Sequence, residues 1–296
     1  SRVSLNTRYN GAQVLNGTFS GKSLQVGTES GESISFSIPN VESSKLGAFV
    51  EGGTAKTAVA GNTPPANGTS GDNLTIAGKK SRVIDVEAND TAQAVAKKIN
   101  AVAGGTQVTA EARTFAHLYT TAAAPSGDQI NRRISFSDSA GNATATAAFT
   151  LTSNDVSDAV QKINAISTTT GVQASATSDN KVLLTKQNGD DIRITNTSAS
   201  AGDSAIKIRT VGIDGVAEAG SIIALAAAGS ANDAVTVKGN IRLTSDYDFT
   251  VTDHSTPNFF TAGAKAATLL DISSVDVLTR ITSTDALAVI DGAIAT

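Results

Sequence analysis

The sequence predicts an α+β fold, in which a helical base formed by both chain ends carries a β-rich outer region with two repeated strand-helix-strand units. Three observations predict it: an apolar stripe at helical spacing near residue 290, short runs that alternate apolar and hydroxyl residues, and two similar central segments. Hydrophobic residues make up 40% and charged residues only 17%. Small and β-branched polar residues fill the remainder and favour strands and turns.

Composition excludes several classes of function. The net charge of −4 has the wrong sign for a nucleic-acid partner. Cysteine is absent, so disulfides and thiolate chemistry are excluded. The longest apolar stretch, 222–228, is far shorter than the ~20 residues of a membrane span, so no membrane insertion is expected. No phosphate-binding glycine pattern or metal-ligand cluster is present, and we expect no cofactor.

The C-terminal segment predicts an amphipathic helix. Ser283 or Thr284 is the expected N-cap, and Leu287, Ile290 and Ile294 then recur on one face. A helix of about a dozen residues is marginal alone. We therefore expect these three side chains to contact another subunit, and we expect the helix to continue in a longer chain.

The N-terminal segment predicts the end of a helix at 2–9, stopped by Asn10 and Gly11. The stretches 23–27 and 33–38 follow. Ile34, Phe36 and Ile38 alternate with serines, which predicts a β-hairpin with one buried face.

The middle of the chain contains an internal repeat. The stretch 84–90 resembles 149–155, 65 residues later, and 108–112 resembles 172–176, 64 residues later. Between them each copy has a short helical pattern, near 90–103 and 155–167. Each unit is predicted as a strand, an Asn or Asp helix cap, an amphipathic helix and a strand, with the repeats near 73–118 and 133–197.

Further strands are predicted at 205–211, 234–237, 241–244 and 247–252, and 54–71 is predicted to be a loop or linker. The chain thus leaves a base and returns to it. The predicted domains are a discontinuous base, 1–45 plus 265–296, and a β-rich outer domain, 46–264, with one or two subdomains.

Several segments together resemble the bacterial flagellins. Arg2-Val3-Ser4 and Tyr9-Asn10-Gly11 are similar to the end of the first long flagellin helix. The stretch 24–34 resembles the hairpin that follows it, 286–294 resembles the start of the returning helix, and the central repeats are similar to a motif that recurs in flagellins and hook-associated proteins. The resemblance implies a secreted, extracellular structural subunit of the flagellar filament, a homopolymer at full length, here truncated at both termini.

Residues for catalysis are not arranged as an enzyme needs them. His117 and His254 are far apart, and His117 is expected on the surface or in a loop. His254 lies between Asp253 and Ser255, but a catalytic triad is assembled from distant positions. Asp190 and Asp191 are neighbours on a hairpin, and 138–142 is expected to be a β-turn, since a calcium loop needs more acidic ligands. The sequence therefore predicts no enzyme.

Basic residues suggest an alternative function. Lys79, Lys80 and Arg82 form one group in the outer region, Lys97 and Lys98 form a second, and Arg132 and Arg133 form a third. Such groups can bind an acidic surface polysaccharide through charge-assisted hydrogen bonds. The simpler interpretation, which we favour, is solvated charge beside strands and helices. The alternative is a cell-surface flagellin homologue that binds an acidic polysaccharide.

Overall fold

The computed structural model of the protein describes residues 2–28, 31–38, 40–121, 131–198, 206–254, 256, 258–275 and 280–295. Its helices are α1 (Arg2–Asn6), α2 (Ala92–Ala101), α3 (Ala103–Thr106), α4 (Ser157–Asn164), α5 (Ser167–Thr170) and α6 (Arg280–Ala295). Its strands are β1 (Arg8–Tyr9), β2 (Ala12–Gln13), β3 (Lys22–Gln25), β4 (Ser33–Phe36), β5 (Gly47–Gly52), β6 (Val59–Gly61), β7 (Asp72–Ala77), β8 (Ser81–Val86), β9 (Thr109–Tyr119), β10 (Ile134–Ser137), β11 (Ala143–Ala145), β12 (Val172–Ala176), β13 (Val182–Lys186), β14 (Ile192–Asn196), β15 (Ile206–Val211), β16 (Glu218–Leu225), β17 (Ala234–Val237), β18 (Asn240–Ser245), β19 (Thr250–Asp253), β20 (Gly263–Ala266) and β21 (Thr268–Asp271). The fold is mixed and mostly strands, in agreement with the predicted α+β class.

The chain divides into two compact units, each built from separate segments. Unit 1 contains Ser1–Val50, Thr244–Phe249 and Ala267–Thr296. Unit 2 contains Glu51–Leu243 and Thr250–Ala266.

In unit 1, Asn10 and Gly11 form a hairpin turn rather than a helix stop. Helix α1 already ends at Asn6, and β1 pairs with β2 so that Tyr9 lies opposite Ala12. The φ angles of Asn10 and Gly11 are 47° and 80°. Two positive φ angles in a two-residue loop suit an Asn-Gly turn, whose twist matches that of the paired strands. The predicted helix over 2–9 was therefore too long.

A second hairpin of unit 1 has the predicted strands but lacks the predicted buried face. β3 pairs with β4, which places Leu24 opposite Ile34. Leu24, Ile34 and Phe36 are all exposed. A two-stranded hairpin has no second layer of its own to cover its apolar side.

Helix α6 packs closely in unit 1 at a glycine. A Cβ atom at Gly292 would lie 2.4 Å from the carbonyl oxygen of Gly47, on the segment of β5 that pairs with β21. α6 begins at Arg280, so Ser283 and Thr284 lie inside it and the predicted N-cap was wrong.

Unit 2 is built on sheets. One has the order β11-β10-β14-β17-β6, and another has the order β20-β19-β7-β8. In a third, the order runs β12-β13-β9-β18, and β15 pairs with both β9 and β16. A core of aliphatic and Phe side chains, including Leu118, Ile134, Phe149, Ile163 and Leu184, is almost fully buried. The predicted strands at 205–211, 234–237 and 241–244 correspond to β15, β17 and β18, whereas β6 lies within the predicted linker.

Helices α2 and α4 lie where the sequence predicts them, but the cap of α2 differs from the predicted one. The Thr91 side chain accepts a hydrogen bond from the Ala94 N–H at 3.2 Å and caps α2. Asp90 instead accepts from the Glu87 N–H and from Lys98. Val156 precedes α4 without a side-chain cap bond. The Asp155 side chain, however, accepts the N–H of Ser157, the first residue of α4, at 2.9 Å. The expected Asn or Asp cap is therefore wrong for α2, whereas at α4 the predicted Asp155 does bond the helix start.

The last residue of α4 and the penultimate residue of α2 make the same contact. Asn100 Nδ2 donates to the Ala110 carbonyl oxygen and Asn100 Oδ1 accepts from the Ala110 N–H, both at 2.8 Å. Asn164 makes the same two bonds with Ala174, again at 2.8 Å. Each amide therefore ties a helix end to the strand that follows it.

Candidate functional site

One face of α6 is apolar and open. Leu287, Ile290 and Ile294 are 66%, 48% and 79% exposed, whereas Ala286 and Val289 on the neighbouring face are buried. The helical spacing places the three exposed residues along one stripe. The predicted contact residues are therefore accessible to another molecule.

The basic residues separate into exposed and buried positions. Lys79, Lys80 and Arg82 are exposed where β8 begins, and Arg133 is exposed beside β10. Arg132 is completely buried, and its guanidinium donates to the Leu151 carbonyl oxygen. Arg132 is therefore unavailable to a polysaccharide, which corrects its selection as a glycan contact.

A buried polar network joins distant segments of unit 2. Asn67 Nδ2 donates to the carbonyl oxygens of Asn89 and Asp90 and to Asp191 Oδ2, at 3.0–3.2 Å. Burial raises the pKa of Asp191 to about 6, although the Asn67 hydrogen bond and the Arg193 charge oppose this. Burial and the charge of Lys56 lower the pKa of Lys238 to about 8. This network holds 67–69 in place inside the segment predicted to be a linker.

Glu218 is surrounded by three basic side chains. Its Oε1 lies 2.7 Å from His117 Nδ1 and 2.6 Å from Lys181 Nζ, and its Oε2 lies 2.6 Å from Arg209 Nη1. Burial of the carboxylate opposes its ionisation, but the hydrogen bonds from Lys181 and His117 outweigh burial and lower the pKa of Glu218 to about 2. The members come from β9, β15, β16 and the turn before β13, so no short motif could have revealed them.

Both histidines and the carboxylate of Asp138 have structural roles. His117 lies buried in β9, so its expected surface position was wrong. His254 Nε2 lies 2.9 Å from Thr75 Oγ1. Asp138 Oδ1 accepts the Ala140 and Asn142 N–H groups, as the predicted β-turn requires.

One pocket of about 100 Å³ lies in unit 2 beside Phe136, Thr170, Lys186, Asp191 and Arg193. Small-molecule sites usually enclose ~300–1,000 Å³, so this pocket is small for an active site. Within the described residues, no three His, Asp or Glu side chains are grouped to hold a metal ion. No helix in the same part of the chain has the length and apolarity to cross a membrane.

Comparison with known proteins places these features in a family context. Residues 67–123 match the flagellin hook IN motif. The chain is 29% identical over 213 residues to a B-type flagellin of Pseudomonas aeruginosa strain PAO1, an alignment that covers 71% of this chain and 41% of that flagellin. The chain thus spans less than half of the curated relative it matches.

Two solved structures also show limited similarity. The flagellar cap protein FliD of Helicobacter pylori is 9% identical, with a TM-score of 0.21, over 55% of this chain and 58% of that chain. The D1-D2-D3 domains of FliD from Escherichia coli are 14% identical, with the same TM-score of 0.21, over 86% and 66%. By its hook IN motif and its 29% identity to a B-type flagellin, the chain is similar to the flagellins.

Proposed function

We propose that this chain is a structural component of the bacterial flagellum, located outside the cell, which associates with other flagellin subunits through unit 1. The flagellins are a structural family, and the hook IN motif supports the assignment. The observation that carries the proposal is the stripe of Leu287, Ile290 and Ile294, which α6 leaves exposed. Large apolar side chains grouped on one face mark surfaces that bind a partner.

Other exposed apolar side chains of unit 1 support the same assignment. Val3, Tyr9, Leu24, Ile34 and Phe36 are between 47% and 73% exposed. We propose that unit 1, whose segments lie close to the predicted 1–45 plus 265–296, is the base and that its surface is covered on assembly. Unit 2 corresponds to the proposed outer domain.

We also propose that unit 2 contains two copies of one strand-helix-strand unit. The matched motif, 67–123, includes the first copy. The second copy repeats the bonds of the first at a spacing of 64 residues, with Asn164 in the place of Asn100 and Ala174 in the place of Ala110.

Sedimentation velocity over a range of concentrations tests the assembly proposal. The parent chain should show larger species as its concentration rises, and the variant Leu287→Ser/Ile290→Ser/Ile294→Ser should remain monomeric. A matched variant, Val83→Ser/Val216→Ser/Ile222→Ser, removes exposed apolar residues from unit 2 and should behave like the parent. A parent chain that stays monomeric, or equal association by the α6 variant, would contradict the proposal.

A second candidate function is the binding of an acidic polysaccharide at the cell surface. Lys79, Lys80 and Arg82 are exposed at the start of β8 and lie together in sequence, which favours it. Exposed cations of this kind bind anions weakly and with strong salt dependence. The test is a titration with an acidic glycan at low and high salt.

The matched variants for this titration differ only in position. Lys79→Ala/Lys80→Ala/Arg82→Ala should lose the low-salt affinity, and Arg8→Ala/Lys22→Ala/Lys45→Ala, which removes two exposed lysines and one exposed arginine from unit 1, should keep most of it. An affinity that does not change with salt concentration, or that is unchanged in the first variant, would exclude the surface of Lys79, Lys80 and Arg82 as the binding site.

A further inference from the structure

The strand β12 is the terminal strand of its sheet in unit 2. It pairs with β13 on one side, in a register that places Ala174 opposite Leu184. Its sequence, Val172 to Ala176, has no charge and no proline. The outer side of such a strand normally presents free N–H and C=O groups, which another chain can use for pairing.

Side chains occupy this outer side. The Asn164 amide, delivered by the end of α4, bonds both the N–H and the C=O of Ala174. Both backbone groups of Ala174 therefore point away from β13. Val172 lies two residues earlier and shares this orientation, because strand geometry repeats every two residues. Its N–H donates to Thr170 Oγ1, from α5, at 3.2 Å.

The same arrangement occurs 64 residues earlier. Asn100 bonds both backbone groups of Ala110, and Thr106 Oγ1 accepts from the Val108 N–H at 3.2 Å. In that copy the strand continues inside the sheet, because from Phe115 onward β9 is paired with β13 and with β15. The two copies thus differ in their place in the sheet: among the strands that the structure describes, β12 is terminal, whereas β9 continues into the sheet interior.

We propose that Asn164 and Thr170 close the edge of β12 against pairing with β12 of a second copy of this chain. A primary amide offers the same donor and acceptor as the N–H and C=O of a neighbouring strand. The backbone groups at the edge of β12 are therefore hydrogen-bonded without a partner strand. If the side chains were absent, two β12 strands could pair antiparallel about Ala174, with Gln173 of each copy opposite Ser175 of the other. Association of the chain is thereby restricted to other surfaces, whether or not these belong to unit 1.

Truncation of the two side chains tests the proposal. At a concentration at which the parent chain is monomeric, the variant Asn164→Ala/Thr170→Val should form a dimer, as measured by size-exclusion chromatography with light scattering. The matched variant Asn100→Ala/Thr106→Val removes the same bonds where the strand enters the sheet interior, and it should behave like the parent. Adding Ser175→Lys to the first variant should abolish its extra dimer, because a lysine on an edge strand opposes pairing.

A folded first variant, with native circular dichroism, that associates no more than the parent would overturn the proposal. Equal association of both double variants would overturn it as well. Hydrogen exchange of the parent provides a test that does not depend on the variants folding. The amides of Val172 and Ala174 should exchange about ten-fold or more slowly than exposed amides. Exchange at the rate of exposed amides would show that the edge is open.

Discussion

Asp191 and Lys238 lie opposite each other across β14 and β17, because the register pairs the adjacent residues Ile192 and Val237. Both side chains are buried, Asp191 to 2% and Lys238 to 6% exposure. Lys238 Nζ also lies 4.7 Å from the centre of the Phe259 ring and 3.3 Å from Thr69 Oγ1. Burial disfavours the charged form of each group, which raises the pKa of the acid and lowers the pKa of the base.

The first prediction concerns stability between pH 7 and pH 5. The folded pKa of Asp191 is about 6 and lies above its ordinary value. Its stabilising contribution is therefore fully present below pH ~4 and is lost as the pH rises through 6. Acidification from pH 7 to pH 5 should increase the free energy of unfolding by about 1 kcal/mol from this group. Urea unfolding of the parent and of Asp191→Asn at pH 7 and at pH 5 measures this increase. An equal increase in the two proteins would contradict the raised pKa of Asp191.

The second prediction concerns Glu218. Glu218→Gln leaves His117, Lys181 and Arg209 without their shared carboxylate, and the free energy of unfolding at pH 7 should fall by about 1–2 kcal/mol, after discounting for its 20% exposed side chain. Because the folded pKa is lowered to about 2, this stabilisation is present above pH ~4.5 and is lost as the pH falls through 2.

Glu111→Gln is the matched control for Glu218→Gln. Glu111 forms an ion pair with Arg113, but its side chain is 40% exposed. Exposed pairs contribute little, so its removal should change the free energy of unfolding by less than ~1 kcal/mol. Equal losses for the two variants in urea unfolding would show that the Glu218 cluster is no stronger than an ordinary surface pair.

Local patterns of the sequence predicted local structure well. The helical spacing near 94–101 and 159–165 located α2 and α4, and the alternation around Ile34 located β4. Errors arose where one local signal fits two structures. Asn10-Gly11 ends helices and also forms hairpin turns, and only the pairing of β1 with β2 distinguishes the two.

Long-range contacts could not be read from the sequence. The Glu218 cluster joins residues up to 101 positions apart, and the Asn67–Asp191 bond joins residues 124 apart. Arg132 and Arg133 have the same chemistry, yet Arg132 is buried and Arg133 exposed, because successive residues of an extended segment face opposite ways. The α6 stripe was predictable, since Leu287, Ile290 and Ile294 depend only on helical spacing.

The third prediction concerns Asn67. Asn67→Asp replaces an NH₂ group that donates to Asn89, Asp90 and Asp191 with an oxygen that can only accept. Buried acceptors then face one another, and the free energy of unfolding should fall by about 2–4 kcal/mol. Asn188→Asp is the control, because Asn188 is exposed and its Oδ1 accepts the Asp190 N–H, as a carboxylate also can. Thermal and urea unfolding of the two variants measure the difference. Similar losses of unfolding free energy at Asn67 and Asn188 would contradict the role given to Asn67.

The fourth prediction concerns the glycine of α6. Gly292→Ala places a methyl group 2.4 Å from the Gly47 carbonyl oxygen, so α6 must move away from that backbone. Overpacking of this kind costs ~1–3 kcal/mol, and the better helix propensity of alanine returns at most ~1 kcal/mol. Amide exchange in α6 should therefore become faster, with a loss of about 1–2 kcal/mol in the free energy of opening. Gly104→Ala in α3 is the control, because its new Cβ would meet no atom within 4 Å and should not destabilise that helix. Unchanged exchange in α6 after Gly292→Ala would show that the close approach to Gly47 does not hold the helix.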